Sequence, residues 1–295
     1  MVGKDSRFGE FVAGEVRKYR SVYVPVKVNP VVCQFLRSAR LEKVHPNPDD
    51  EFCDPRIGPN YGIMGEYQQQ FRDARRHSWR YCSDPVIVEK IRPDGYMLLN
   101  GHHRWGAALR LGYKSIPIKV VNLTQENDIK KLLENTKHTL RVTLDLDEVV
   151  FRQQTDALCE KKLPFPLNRL YPERLRLGIP ALFHFFARSG YDIWVYSAKY
   201  YSMGYIKALF RKYRVRVSGV ITGTARKGRQ DAEIRKRLEQ MIAEKYDCTV
   251  HIDNDLLVRI FNKTGAFDEH HLNADSPEWA HEIMQLVRGF GPEKS

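Results

Sequence analysis

Short apolar runs alternate with longer amphipathic stretches through the second half of the chain. Four runs end in polar residues, at 142–147, 192–197, 217–223 and 249–255. Three stretches with helical spacing of their apolar residues separate the runs, near 171–189, 201–213 and 229–246. Strands that alternate with helices predict a parallel sheet covered on both faces. The polar residues that end the runs are then expected at the carboxyl ends of the strands, along one edge of the sheet.

The first half has shorter elements and a different order. Its β-like stretches are 22–28, 84–91, 96–100 and 116–121. A tight turn and a short helix follow the third stretch, and Gly112 is placed to end that helix. The arginine-rich segment 72–80 predicts an extra helix with a solvated face, and a further helix is expected over about 126–134. This pattern indicates a small α+β domain.

The predicted fold is therefore α/β throughout, in two domains. A chain of 295 residues is long enough to bury two hydrophobic cores. We place the join after the helix of about 126–134, which gives a first domain over 1–137 and a second over 138–295. No low-complexity linker separates the halves, so we expect the domains to pack together.

Composition excludes several protein classes. No apolar stretch approaches membrane-spanning length, and the N-terminal residues are polar, unlike a signal peptide. The five cysteines show no Cys-x-x-Cys spacing, which argues against a disulfide framework or a zinc site. These features predict a cytoplasmic protein with no membrane partner.

Positive charge is concentrated in one part of the chain. The formal net charge is +12, and eleven Lys and Arg residues lie between Lys207 and Arg237 against two acidic residues. A dense basic region attracts anionic substrates and is one way to bind a polynucleotide backbone. The alternative is a solvated helix face. Tyr200, Tyr201 and Tyr205 either stack on a base or cover the edge of the sheet, and we favour the second use.

The apolar run at 142–147 ends in two aspartates, Asp145 and Asp147. Side chains alternate faces along a strand, so these two carboxylates point the same way. Two like charges held close repel unless a cation or a shared proton lies between them. The pair therefore favours a hard cation such as Mg²⁺, which also binds phosphate oxygens. An isolated Asp-x-Asp is also consistent with a strand followed by an acidic turn.

The order of the four polar run ends resembles the haloacid dehalogenase (HAD) superfamily of phosphohydrolases over about 140–265. The resemblance implies a Rossmannoid domain with a central parallel sheet. It implies that Asp145 is the nucleophile and that Asp147 is the general acid and then the general base. Ser197 would hydrogen-bond the phosphoryl group, and Lys227 would neutralise its charge, with Lys199 as the competing candidate for that lysine.

The same resemblance implies a Mg²⁺ site formed by Asp145, Asp147 and Asp253, with Asp147 contributing its backbone carbonyl and Asp255 in support. Only about twenty residues separate the first motif from the helix near 171, which is too few for a large cap. A minimal cap leaves the site open to large substrates.

The strand at 96–100 runs directly into the sequence Gly101-His102-His103-Arg104. A helix N-terminus presents unpaired N–H groups and partial positive charge. Basic side chains at that position oppose the helix dipole, so another function is needed to explain them. We therefore predict an anion site, most naturally for phosphate. A polar helix start with a surface arginine is the alternative.

The stretch from about 84 to 122 resembles the ParB/sulfiredoxin-like nucleotide-binding domain, on Asn100-Gly101-His102-His103-Arg104 and Ile116-Pro117-Ile118. The resemblance implies that a nucleotide phosphate is bound, with ATP, ADP or CTP as the ligand. The residues implied are Asn100, Gly101, His102, His103 and Arg104.

Two departures bear on activity in this half. Sulfiredoxins place a catalytic cysteine where this chain has His102, which argues against sulfinic-acid repair. Related small-molecule kinases need an acidic base soon after the first strand, and no acid follows Val28 directly. Glu42 and Asp49 are the acids that folding would have to bring near the site.

Three functional hypotheses result. The first is a Mg²⁺-dependent phosphomonoester hydrolase coupled to a nucleotide-binding domain. The second is a bifunctional kinase and phosphatase that acts on a metabolite or on nucleic-acid ends. The third is a non-catalytic nucleic-acid binder that uses the basic region 207–237. The sequence does not identify the substrate, the nucleotide or the oligomeric state.

Overall fold

A computed structural model of the protein describes residues 3–20, 23–76, 84–151, 156–224 and 229–290. The chain forms two compact units, one of Met1–Leu123 with Lys227–Asp231 and one of Thr124–Arg226 with Ala232–Ser295. The division lies before the helix over Glu126–Asn135, whereas the sequence placed the boundary after it. The reason is packing, because Ile129 and Leu133 of this helix are buried against Trp194 and Tyr246 of the second unit.

The first unit contains a six-stranded mixed sheet with the path β2-β6-β4-β5-β3, and β1 pairs with β4. Its strands are β1 Val24–Pro25, β2 Ser38–Arg40, β3 Val44–His45, β4 Val86–Arg92, β5 Tyr96–Asn100 and β6 Ser115–Val120. Its helices are α1 Gly3–Tyr19, α2 Pro30–Phe35, α3 Tyr61–Arg76 and α4 His102–Arg110. The core includes Val86, Val88, Leu98, Trp105, Ile118 and Val120. This is the small mixed domain that the sequence predicted.

Two predicted elements of this unit differ in extent. The strand expected over 22–28 is only two residues long, since Pro25 has no N–H to donate to a ladder. The arginine-rich segment forms the end of α3 as far as Arg76, and residues 77–83 lie outside the described part of the chain.

The second unit contains a six-stranded sheet in the order β12-β11-β10-β7-β8-β9. Its strands are β7 Leu140–Asp145, β8 Tyr191–Ser197, β9 Gly219–Thr222, β10 Cys248–Ile252, β11 Leu256–Phe261 and β12 Phe267–His271. Its helices are α5 Glu126–Asn135, α6 Leu167–Leu170, α7 Ile179–Arg188, α8 Met203–Lys212, α9 Arg229–Lys245 and α10 Trp279–Gly289. The four predicted strands are present and parallel. The antiparallel hairpin β11–β12 was not predicted.

Helices cover both faces of this sheet. On one face, Val142 and Val195 join a large core with Phe183 of α7 and Phe210 of α8. On the other face, Trp194 packs against helices α5 and α9. Strands buried on both sides read as continuous apolar runs, which is the pattern seen in the sequence.

The strand order fixes where a ligand can reach this unit. The chain passes from β7 to β8 and β9 on one side, while β10 pairs with the other side of β7. Such a reversal opens a crevice at the carboxyl ends of the central strands, where α/β sheets bind ligands. No helix among the described residues has the length and apolar character to span a bilayer.

Candidate functional site

Asp145 is the last residue of β7 and begins a single π-helical turn over Leu146–Val150. Its Oδ1 accepts hydrogen bonds from the backbone N–H of Asp147 (2.6 Å) and of Glu148 (2.9 Å). π-Helical turns are rare and occur frequently at functional sites. The turn holds the carboxylate of Asp145 at the edge of the sheet, with two oriented N–H groups against it.

The carboxylate of Asp147 contacts residues that follow β8. Ser197 Oγ donates a hydrogen bond to Asp147 Oδ2 at 2.7 Å. Lys199 Nζ lies 3.2 Å from Asp147 Oδ1. Ser197 is fully buried, and its Oγ accepts the backbone N–H of Lys199 at 3.0 Å. The side chains of Asp147, Ser197 and Lys199 therefore form one cluster across the ends of β7 and β8.

Backbone packing fixes Ser197 in that cluster. The N–H and the Oγ of Thr224, just after β9, each donate to the carbonyl of Ser197 at 3.2 Å. The N–H of Gly223 donates to the carbonyl of Lys199 at 2.9 Å. The loop that carries the hydroxyl and the cation is thus tied to the neighbouring strand.

The structure bears on whether Lys199 or Lys227 neutralises the phosphoryl group. Lys199 reaches Asp147, with 61% of its side chain exposed to solvent. Lys227 lies outside the described residues, so no contact can be assigned to it. Lys199 therefore contacts the cluster, while the assignment of the site lysine to Lys227 stays a prediction.

Asp253 follows β10 at the same edge. Ile252 pairs in register with Leu144, so the two residues that follow, Asp253 and Asp145, are neighbours on adjacent parallel strands. Asp253 Oδ1 accepts the N–H of Asn254 at 2.7 Å. The side chain of Asp255 is exposed, and its carbonyl accepts the N–H of Leu272 at 2.8 Å.

The predicted metal set has two side-chain ligands, Asp145 and Asp253, and the backbone carbonyl of Asp147, and it stays a prediction. Within the described ranges, no group of three or more His, Cys, Asp or Glu side chains is arranged to hold a metal ion. The side chain of Asp147 is engaged by Ser197 and Lys199. Asp145 and Asp253 remain as a pair, and a pair suits Mg²⁺, which commonly binds through one or two carboxylates plus water and phosphate oxygens.

His251 pairs in register with Thr143, and these residues precede Asp253 and Asp145 by two positions each. Nδ1 of His251 is 2.8 Å from Thr143 Oγ1. Burial lowers the pKa of His251, while the charges of Asp253 and Asp145 act in the opposite direction.

In the first unit, β5 leads through Gly101 into α4. Gly101 has a φ of 97°, and a Cβ there would lie 2.8 Å from Cγ1 of Val86. Only glycine fits this turn without strain. The turn directs the first residues of α4 toward the loop over residues 47–60.

His102 is buried, which corrects the expectation that it supplies positive charge. Its Nε2 accepts the backbone N–H of Asn47 at 3.2 Å, and its Nδ1 lies 3.4 Å from Asp50 Oδ2. Burial lowers the pKa of His102 to about 4, although Asp50 opposes the shift. The ring is neutral near pH 7 and holds the 47–50 loop against α4.

His103 and Arg104 also form hydrogen bonds to other residues of the first unit. His103 Nε2 accepts the N–H of Asn60 at 3.1 Å, and burial lowers the pKa of His103. Arg104 donates to the carbonyl of Asp84 at 2.7 Å and to Asn100 Oδ1 at 3.4 Å. Of the five predicted nucleotide-binding residues, only Arg104 carries a permanent charge, so anion binding here depends on Arg104 and on the N–H groups of the first turn of α4.

The sequence analysis did not identify Asp50 as the acid beside the start of α4. Glu42 pairs with Arg40 at 3.5 Å, whereas Asp50 lies beside His102. Asp50 also accepts the N–H of Phe52 at 3.0 Å and so caps a short 3₁₀ turn. A capping preference is the only sequence signal at Asp50, and it does not reveal a neighbour more than fifty residues away in the chain.

Part of this chain matches a family model, that of the ParB N-terminal domain, over residues 82–136. An ATP-dependent L-serine kinase of Staphylothermus marinus is 38% identical over 66 residues, which cover 18% of this chain and 26% of that protein. The alignment with this curated relative thus includes only about a quarter of its length.

Two solved structures of the chromosome-partitioning protein ParB from Caulobacter crescentus, both C-terminally truncated, are also similar. The one complexed to the centromeric parS site has 24% identity over 35% of this chain and 50% of that chain, with a TM-score of 0.22. The one complexed with CTP-gamma-S has 25% identity over 35% of this chain and 55% of that chain, with a TM-score of 0.24.

The family match includes the turn at Gly101 and helix α4. The predicted ParB-like element of the first half is therefore confirmed. The match ends at residue 136, so the resemblance of the second unit to haloacid dehalogenases stays a prediction.

Proposed function

We propose that the second unit hydrolyses phosphomonoesters with Asp145 as the nucleophile. The cluster of Asp147 with Ser197 (2.7 Å) and Lys199 (3.2 Å), next to Asp145, carries this proposal. Phosphoryl transfer depends mainly on positioning and on neutralisation of charge. A carboxylate nucleophile, an acid/base, a hydroxyl and a cation at one sheet edge match those requirements.

The reaction would proceed in two displacements. Asp145 uses Oδ1 to accept the two N–H groups of the turn, so we assign the attack on phosphorus to Oδ2. A bond forms between Oδ2 and phosphorus, the ester P–O bond breaks, and Asp147 gives its proton to the leaving alcohol. Water then attacks the aspartyl phosphate and gives a proton to Asp147. This step releases inorganic phosphate and restores both carboxyl groups.

Asp147 is held for this proton transfer. Its Oδ2 accepts the hydroxyl of Ser197, and its Oδ1 lies 3.2 Å from Lys199 Nζ. We assign proton exchange with the leaving group to this carboxyl group. A bound phosphoryl oxygen would compete with Asp147 for the hydroxyl of Ser197 and for the ammonium of Lys199.

Mg²⁺ fits between Asp145 and Asp253, since both follow paired residues of adjacent parallel strands. When bound, the ion neutralises negative charge on the phosphoryl group. Asp145 and Asp253 would hold it, together with phosphate oxygens and water.

The test is phosphate release from an aryl phosphate in the presence of Mg²⁺. Asp145→Asn should lower turnover about a thousandfold or more while the protein stays folded. Asp268→Asn, an exposed aspartate of the edge strand β12, is the matched control and should retain activity. Equal turnover by Asp145→Asn and the unmodified protein would exclude this mechanism.

A second candidate function, nucleotide-dependent phosphotransfer by the first unit, is favoured by one observation. Asp50 lies 3.4 Å from His102 at the start of α4 and is placed to accept a proton from a hydroxyl. The partial match to an ATP-dependent L-serine kinase and the ParB-like element support a nucleotide at this helix start. ATP, ADP and CTP are the nucleotides to test.

Label transfer from γ-labelled ATP to L-serine tests this second function. The assay uses an Asp145→Asn background, so that the proposed phosphatase cannot remove the product. Asp50→Asn should abolish transfer, whereas Glu42→Gln should not, because the carboxylate of Glu42 is exposed and paired with Arg40. An absence of transfer to serine, to sugars and to nucleic-acid ends would exclude it.

A further inference from the structure

The segment 157–178, here called the insert, joins the π-helical turn after Asp145 to helix α7. Two antiparallel bridges close its base, Phe151 with Leu175 and Cys159 with Arg176. The buried guanidinium of Arg176 lies 3.7 Å from the centre of the Trp279 ring and donates to Asn254 Oδ1 at 3.1 Å. The insert is therefore anchored to the loop that carries Asp253.

The outer part of the insert exposes an aromatic ring with cations around it. Phe165 is 71% exposed, between Pro164 and Pro166, which restrict the backbone on either side. The guanidinium of Arg169 lies 5.3 Å from the centre of the Phe165 ring. An exposed ring held in this way is a platform on which a planar group can stack.

The solvent-exposed charged side chains of the insert are basic. Glu160 accepts the N–H of Gly178 at 2.9 Å, and Glu173 accepts the hydroxyl of Tyr205. The side chains of Lys161, Lys162 and Arg169 are exposed. The acidic groups thus serve internal contacts, while Lys161, Lys162 and Arg169 are presented to solvent.

A row of tyrosines connects the insert with the cluster around Asp147. Tyr171 of the insert contacts Tyr205, with ring centroids 5.1 Å apart, and Tyr205 stacks on Tyr201 at 6.2 Å. Tyr201 follows Lys199 by two residues, and its N–H donates to the carbonyl of Lys199 at 3.1 Å. Aromatic surface therefore continues from the exposed insert to the proposed catalytic residues.

We propose that the insert binds single-stranded nucleic acid and that the phosphomonoester hydrolysed at Asp145 is the terminal phosphate of an oligonucleotide; this rests on the proposed function. Bases stack on aromatic rings whatever their sequence, and backbone phosphates pair with Lys and Arg. A free mononucleotide has one phosphate, which the Asp145 site would take. The exposed cations of the insert suit the further phosphates of an oligonucleotide.

The test compares two substrates, a short oligothymidylate with a terminal phosphate at either end and an aryl phosphate. Phe165→Ala and Arg169→Gln should lower the ratio of kcat/KM for the oligonucleotide to kcat/KM for the aryl phosphate by about tenfold. The loss should appear mainly in KM, and the KM of the unmodified protein should rise with salt. Phe267→Ala and Arg188→Gln are matched controls that should keep the ratio, since both residues are exposed and lie outside the insert.

The outcomes separate the two proposals. Hydrolysis of the aryl phosphate without preference for the oligonucleotide overturns this inference and leaves the proposed phosphatase standing. Better hydrolysis of a phosphotyrosine peptide, or a ratio unchanged by both insert variants, also overturns it. No hydrolysis of any substrate overturns the proposed function and the substrate assignment together.

Discussion

In both units a strand is followed at once by polar residues that begin a helical turn, yet the two strand ends differ. After β5, His102 and His103 turn inward and accept backbone N–H groups, and Arg104 donates to a backbone carbonyl. After β7, Asp147 contacts the hydroxyl and the ammonium of residues that follow β8. The first arrangement ties loops together, while the second brings a carboxylate, a hydroxyl and an ammonium group together at the ends of β7 and β8.

Burial has opposite effects on one titratable group in each unit. His102 is 4% exposed and Asp192 is 5% exposed. Burial alone raises the pKa of Asp192, but hydrogen bonds from Thr136, Tyr246, His138 and Ser218 hold it below its ordinary value. His102 instead accepts the N–H of Asn47, which favours the neutral ring, and burial lowers its pKa. The hydrogen-bond partners therefore decide whether a buried group keeps its charge.

The largest predicted effect is a loss of stability on substitution of Asp192, in the second unit. Asp192→Asn should lower the free energy of unfolding of the second unit by about 3 kcal/mol, because donors such as Tyr246 Oη (2.8 Å) and Thr136 Oγ1 (2.6 Å) lose their charged acceptor. Urea unfolding followed by tryptophan fluorescence measures the loss. The control Asp268→Asn should change stability little, and equal losses for the two variants would contradict the importance of these bonds.

The next effect tests the cation of the proposed catalytic cluster. Lys199→Ala should lower kcat for an aryl phosphate about a hundredfold, because its Nζ lies 3.2 Å from Asp147 and would neutralise the phosphoryl group. Lys227→Ala is measured alongside it. A greater loss for Lys227→Ala would assign the site lysine to Lys227 instead.

A smaller effect on stability is expected at the turn of the first unit. Gly101→Ala should cost about 2 kcal/mol, since alanine at a φ of 97° is strained and its Cβ would meet Val86. Gly112→Ala is the matched comparison, with a φ of 71° and no atom within 4 Å of an added Cβ. Its cost should be about 1 kcal/mol, from backbone strain alone. Equal costs would show that the contact with Val86 is easily relieved.

The last prediction concerns acid sensitivity. The pKa of His102 falls from 6.5 to about 4 on folding, so the unfolded chain binds more protons between these values and stability falls as pH drops through that window. The pKa of Asp192 is lowered from 3.8, so its contribution is present above that value and lost only below it. The free energy of unfolding, measured from pH 7 to pH 4, should fall less for His102→Gln than for the unmodified protein. The change is partial because burial also lowers the pKa of His45 and His103.

Much of the second unit could be predicted because its strands are apolar on both faces. The runs that gave β7, β8, β9 and β10 are buried in the sheet. β11 and β12 were missed because most of their residues are partly or fully exposed, which leaves no clear apolar period. Helix α5 was predicted, but the unit it packs in was not, since that depends on contacts with residues more than sixty positions away.

Some residues of the candidate site could also be predicted from the sequence, and others could not. Asp145, Asp147 and Ser197 were identified because strand ends share an edge of a parallel sheet. The contact of Lys199 with Asp147 depends on the path of the loop after β8, and the neutral state of His102 depends on its burial. Asp50 could not be found from spacing, because it reaches His102 across the fold.

Sequence alone determined the four parallel strands β7 to β10 of the second unit and the acidic residues that end β7 and follow β10, because periodicity and strand polarity are local properties. Tertiary structure decided which of those polar groups meet, which keep a charge and which unit α5 joins. Those outcomes depend on burial and on hydrogen-bond partners brought from distant parts of the chain, and neither is encoded in the spacing of nearby residues.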